Sequence, residues 1–205
     1  MPQTGYGADR LADDVLEVID TLRLEKPVLA GHSIAGEELS SIGSRHPEKV
    51  SGLVYLDAGY GYALYDPSRG DAELDAMEVR NKLDALLASP GQKSLIGKLL
   101  QTDLPQLQKT LKSHLQDLED AGPMPVMPTG KEFSPPKAIL AGRQKFTEIK
   151  VPALAIYALP NGPVPARIAN AAKSFETIVP IRASSNCPRR ITTFFDPMRK
   201  MCCAS

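Results

Sequence analysis

The residues best arranged for chemistry are Gly31-His32-Ser33-Ile34-Ala35-Gly36, directly after the apolar run Val28-Leu29-Ala30. A serine held on a strained turn between a strand and a helix needs small residues two positions before and after it. Gly31 and Ala35 meet that need, and Gly36 allows the following helix to pack close to the strand. The opening N–H groups of that helix face the place where an oxyanion would form. The implied chemistry is nucleophilic attack by the serine hydroxyl. An ordinary turn serine is the plain alternative.

The elements that must position Ser33 alternate helix and strand. Residues 9–24 read as a helix, with Leu11, Val15, Val18, Ile19 and Leu22 on one buried stripe and Asp13, Asp14, Glu17 and Asp20 on the solvent side. Pro27 closes the connection to a strand at 28–30. A second helix follows the serine to about residue 44 and ends at Arg45-His46-Pro47-Glu48-Lys49-Val50. The next strand, 53–56, is nearly continuously apolar, the pattern of a parallel strand covered on both faces. This order is that of a doubly wound α/β sheet.

From residue 59 to about 150 the pattern turns helical. Residues 71–88 form one predicted helix, with Leu74, Met77, Leu83, Leu86 and Leu87 as apolar positions. Others span 94–100 and 106–118, the last with Leu107, Leu111, Leu115 and Leu118 on one face. Gly122-Pro123-Met124-Pro125-Val126-Met127-Pro128 reads as a loop. Strand character returns at 151–158 and a helix at 167–176, while Ile178-Val179-Pro180-Ile181 reads as the start of a further strand.

With 205 residues the chain can bury one well-formed core, and its 24 basic and 24 acidic side chains balance. That balance gives no electrostatic case for nucleic acid or an anionic membrane. No apolar run could span a bilayer and the first residues lack a signal-peptide layout, so a cytoplasmic location is expected. Cys187, Cys202 and Cys203 are odd in number and clustered late, against a disulfide framework. No Cys/His spacing points to a metal, and no cofactor is expected.

In order, a strand, Gly-His-Ser-Ile-Ala-Gly, a helix, Arg-His-Pro-Glu-Lys-Val, a strand, Tyr55-Leu56-Asp57-Ala58-Gly59-Tyr60 and a helical insertion resemble the α/β-hydrolase superfamily. The likeness is greatest to small bacterial esterase-type members with a helical cap between their sixth and seventh strands, and covers about residues 4–173. It implies a partial α/β-hydrolase fold, a mostly parallel sheet with a cap insertion. The implied divisions are a core part with the nucleophile elbow at 1–58, the cap at 59–149, a core continuation at 150–184 and an irregular tail at 185–205. It makes Ser33 the nucleophile and the Ile34 N–H one oxyanion donor. Asp57 matches the place after the sixth strand where some members carry the acid; a strand-end aspartate capping the next turn is the alternative. The more usual acid position, after the seventh strand, holds Asn161, which cannot carry the charge.

The resemblance also implies parts this sequence does not supply. The chain begins just before the helix that precedes the fifth strand, so the first four strands and the second oxyanion donor are expected to be missing. Such a sheet exposes an edge and a face, a surface for self-association. The general base should be a histidine near the C-terminus, yet none follows His114. His32 flanks the oxyanion site, His46 lies past the far end of the elbow helix, and His114 belongs to the cap. A shifted reading frame over residues 186–204 permits the family's histidine turn and last helix, the histidine codon straddling Ile191 and Thr192, so the tail reads as frameshifted. The expected function is a serine hydrolase acting on a small ester or similar acyl substrate through Ser33, with activity impaired or absent in this chain. The alternatives are a non-catalytic truncated homologue, an interaction fragment that completes its sheet with a partner, and a cofactor-free perhydrolase using the same triad.

Overall fold

The computed structural model describes residues 6–89, 91–121, 142–158, 164 and 166–179. The proline-rich run, Asn161, Ile181 and the tail from 185 lie outside the described residues.

Helix α1 (Ala8–Thr21) leads to strand β1 (Val28–His32), a 3-10 turn (Ser33–Ala35), helix α2 (Gly36–Arg45) and strand β2 (Gly52–Leu56). Helices α3 (Ala72–Ala88), α4 (Lys93–Lys98) and α5 (Leu104–Ala121) come between β2 and strand β3 (Ala153–Ile156), and α6 (Ala166–Ile178) follows. The described sheet runs β1-β2-β3 with both pairings parallel. Parallel neighbours need crossovers, which α2 provides for the first pair and the helical insertion for the second.

Strand alternation sorts the side chains. Leu53 and Tyr55 are buried in one cluster with Leu39 and Ile42 of α2 and Phe175 of α6. The Tyr55 and Phe175 rings meet edge to face at 5.2 Å, a geometry that adds about 0.5–1.5 kcal/mol to the area buried. On the opposite face Val28, Leu56 and Leu154 stay exposed among the described residues. The apolar run of β2 therefore does not mean cover on both faces: it records that both faces are apolar, and the described helices cover one of them.

α1 packs against α2 on a line rotated from the expected stripe. Ala8, Ala12, Leu16 and Ile19 are buried, while Val18 and Leu22 are exposed. Polar pairs line that contact. Asp9 accepts from Ser41 at 2.6 Å, Asp13 from Arg45 at 2.8 Å and Asp20 from Lys49 at 2.7 Å. Asp13 and Asp20 stay exposed, as expected, and pair at the rim of the contact, while the small alanines let the helices approach.

The insertion departs from its pattern in the same way. Asp71 caps α3, accepting from the Glu73 and Leu74 N–H groups at 3.1 and 3.0 Å, as an N-cap should. Against α3, α5 turns Thr110, whose hydroxyl donates to buried Asp75 at 2.6 Å. Leu111, Leu115 and Leu118 are exposed. Ile178 closes α6 rather than opening a strand.

Candidate active site

β1 ends at His32 and the chain turns at once. Ser33 takes φ +54°, a left-handed conformation costing a non-glycine residue about 1–2 kcal/mol. A Cβ on Gly31 would stand 2.9 Å from the Ala35 Cβ and 3.1 Å from the Leu39 Cδ1, so these small residues are in the close approach their spacing required. A Cβ on Gly36 would stand 2.3 Å from the Ala58 carbonyl oxygen. Gly36 therefore admits the residues leaving β2, not the strand itself. Ile34 is the second residue of the 3-10 turn, among the opening N–H groups that a helix start leaves without an intrahelical acceptor.

β2 ends at the same edge. His32 pairs with Leu56, so Ser33 and Asp57 are the first residues beyond two neighbouring parallel strands. Such carboxyl ends are where doubly wound sheets place ligands. Asp57 takes φ +48°. Its Oδ1 accepts from the Tyr60 hydroxyl at 2.5 Å and the Ala158 N–H at 3.3 Å, tying the end of β2 to the end of β3. These bonds suit a strand-end cap and equally a fixed acid.

Two residues near the serine carry no sequence motif. The Tyr62 hydroxyl donates to the Ser33 carbonyl oxygen at 2.9 Å and reaches the Asp57 carbonyl oxygen at 3.4 Å. Burial, with the Asp57 charge beside it, pushes the Tyr62 phenol up, so the group keeps its proton and its donor role. Its segment is anchored from behind by the Tyr157 hydroxyl, which donates to the Gly59 carbonyl at 2.8 Å. The available signal is the alternation Gly59-Tyr60-Gly61-Tyr62 directly after an apolar strand. Glu37, in the first turn of α2, is fully buried, and neither carboxyl oxygen has a hydrogen-bond partner among the described residues. Burial pushes its carboxyl up to about 8, against the pull of Arg143.

The histidines lie apart from one another. His32 is exposed at the turn itself. His46 caps the far end of α2, its Nδ1 3.6 Å from Glu48. His114 on α5 lines a polar cleft of about 380 Å³ with Arg69, Asp71, Glu73 and Asp117, a lining that does not include Ser33. Among the described residues no group of three or more His, Cys, Asp or Glu side chains could hold a metal ion, and no helix is long and apolar enough to cross a membrane.

A strained serine thus follows one parallel strand, with a helix starting behind it. The family model for the alpha/beta hydrolase fold matches residues 1–177. The chain belongs to the alpha/beta hydrolase fold family. Its parallel sheet with surrounding helices is the alpha/beta hydrolase fold in part. The chain is similar to a protein of Mycobacterium phage D29 whose name is of the non-heme haloperoxidase type, 33% identical over 63 residues, which are 31% of this chain and 23% of that protein. It is 32% identical over 79 residues to 2-(acetamidomethylene)succinate hydrolase of Mesorhizobium japonicum, covering 38% of this chain and 26% of that one. The matched stretches thus span about a quarter of the length of the curated relatives. Among solved structures, Est816, described as an N-acyl homoserine lactone degrading enzyme, aligns at a TM-score of 0.41 with 21% identity, covering 88% of this chain and 67% of that chain.

Proposed function

We propose that this alpha/beta hydrolase carries the nucleophile of an acyl hydrolase, with Ser33 attacking the carbonyl of a small ester or lactone and the Ile34 N–H donating to the oxyanion. The observation that carries this reading is the left-handed Ser33 at the end of β1, framed by Gly31, Ala35 and Gly36. Asp57 is the acid in this reading, and helices α3–α5 form the cap over the substrate. The hydrolase name of a curated relative supports the reaction class.

Hydroxyl attack needs a positioned imidazole. None of His32, His46 and His114 stands among the hydrogen-bond partners of Asp57, and no histidine follows His114. Activity of this chain alone is therefore impaired: without a base, a hydrolase keeps only the rate from binding and oxyanion stabilisation. The test is labelling by a fluorophosphonate probe, with Ser33→Ala as control. Slow labelling that disappears in S33A supports the reading. No labelling removes Ser33 as a competent nucleophile, and labelling as fast as that of an intact serine hydrolase removes the impairment.

The name of the phage relative favours a second reading, a cofactor-free perhydrolase working through the same Ser33. Peroxide- and carboxylate-dependent halogenation by the wild type, absent from S33A, distinguishes it from simple hydrolysis. The β1 edge, unpaired among the described residues, is read as a surface for self-association; a monomeric, folded chain in analytical ultracentrifugation counts against that.

A further inference from the structure

Three observations converge beneath the serine turn. Glu37 is fully buried with both carboxyl oxygens unpartnered among the described residues. Arg143 is also buried, and its Nε is likewise unpartnered there. The rest of its guanidinium is committed: Nη1 donates to Glu73 at 3.1 Å, and Nη2 to Asp71 and to the Gly61 carbonyl, the latter at 3.3 Å. Gly61 lies in the segment from which Tyr62 holds the Ser33 carbonyl.

Buried polar groups are almost always satisfied, so the unpartnered oxygens of Glu37, one of adjacent Glu38 and the Nε of Arg143 call for an explanation. Arg143 is the cation that acts on Glu37; Glu38, on the same helix turn, opposes ionisation, and the Tyr62 phenol feels the Glu37 charge. Asp71 and Glu73 already share the guanidinium. With Glu37 neutral, that joint holds one cation between two carboxylates, one of them mostly exposed. With Glu37 ionised, a third carboxylate competes for the same cation in a buried place, where an unpaired charge is strongly unfavourable.

We propose that Glu37 is a positioning residue whose proton leaves Arg143 on the segment 59–62, and that loss of this proton draws Arg143 to Glu37 and releases the segment that holds the Ser33 turn. This inference rests on the burial and bonding of these groups and not on catalysis by Ser33, so it stands or falls apart from the proposed activity.

The experiment follows the proton and the segment separately. Infrared spectra report a protonated-carboxyl band at about pH 6–7, where ordinary carboxyls are ionised. The band should titrate away towards alkaline pH, be missing from Glu37→Gln and persist in Glu38→Gln. Amide exchange, corrected for its intrinsic pH dependence, should rise about tenfold in residues 59–65 between about pH 6 and about pH 9. It should stay flat in E37Q. A wild type without the band overturns the proposal, as does exchange at 59–65 that does not change with pH. Both of those readings use the wild type alone, so they hold even if E37Q folds poorly.

Discussion

The hydroxyl of Tyr62 donates a 2.9 Å hydrogen bond to the carbonyl oxygen of Ser33, across 29 residues of sequence. The strained serine is therefore not held by its own turn alone. It is pinned from outside by the segment that leaves the next strand. Tyr62→Phe should lower stability by about 0.5–1.5 kcal/mol, the net worth of one such bond. Urea unfolding measures this, and the far-ultraviolet spectrum should not change.

Ser33 stores strain that glycine would release. Ser33→Gly should raise stability by about 0.5–1 kcal/mol, since the left-handed penalty it removes exceeds the added chain entropy of glycine. A thermal melt checks it. The same exchange removes any fluorophosphonate labelling, the trade between stability and function met at strained sites.

Two glycines should respond in opposite directions to a methyl group. Gly36→Ala places a Cβ 2.3 Å from the Ala58 carbonyl and 2.9 Å from the Ala63 Cβ. Backbone must shift, at a cost of about 1–3 kcal/mol. Gly97→Ala meets nothing within 4 Å inside α4 and should gain about 0.5–1 kcal/mol. Chemical denaturation of both variants separates close packing from helix propensity.

Lys145 joins the insertion to the chain that returns to the sheet. Its Nζ lies 2.6 Å from Asp75 and 2.5 Å from Glu78, and 4.5 Å from the centre of the Tyr65 ring. Burial works against its charge, but the Asp75 and Glu78 hydrogen bonds prevail and raise it. Lys145→Met leaves Asp75 buried without its cation and should cost about 2–4 kcal/mol. The double variant with Asp75→Asn should cost less than the two single changes together.

Stability should peak at mildly acidic pH. The Glu37 carboxyl is raised by burial to about 8 in the folded chain, so the folded state keeps a proton that the unfolded state has released. Its contribution is full below the ordinary carboxyl value and is lost as pH rises through about 8. Asp75 works in the other direction: burial opposes its charge, yet bonds from Lys145, Thr110 and Tyr65 hold it below the usual value, and its contribution is lost as pH falls. Urea midpoints across pH should show the alkaline limb falling by about 1–3 kcal/mol in the wild type and flattening in E37Q.

The turn was legible because its geometry is local. Gly31, Ser33 and Ala35 meet within one bend, and the spacing of small residues around a serine records that bend directly. β1 and β2 were legible as apolar runs between turn residues. What was not legible depends on a partner far along the chain. The stripe Leu111, Leu115, Leu118 shows that α5 has an apolar face, but the face turned to α3 is chosen by Thr110 and the buried Asp75. The pairing of the α1 acids was not legible for the same reason, because their cations sit on α2 and beyond. Tyr62 and Glu37 matter through a carbonyl and a guanidinium that no local pattern points to.

The register of the sheet sets an order of assembly. β1 meets β2 by pairing Val28 with Gly52, a short crossover, whereas β2 meets β3 by pairing Leu53 with Ala153, a hundred residues on. The longer closure costs only about 1 kcal/mol more in chain entropy, because that cost grows with the logarithm of length. It is slow rather than prohibitive: β1 and β2 can close around the serine turn early, and β3 arrives when the insertion has folded. A doubling of the insertion would add about 0.6 kcal/mol. The helices above the sheet are thus free to change in size over evolutionary time while the strand ends beneath them keep their places.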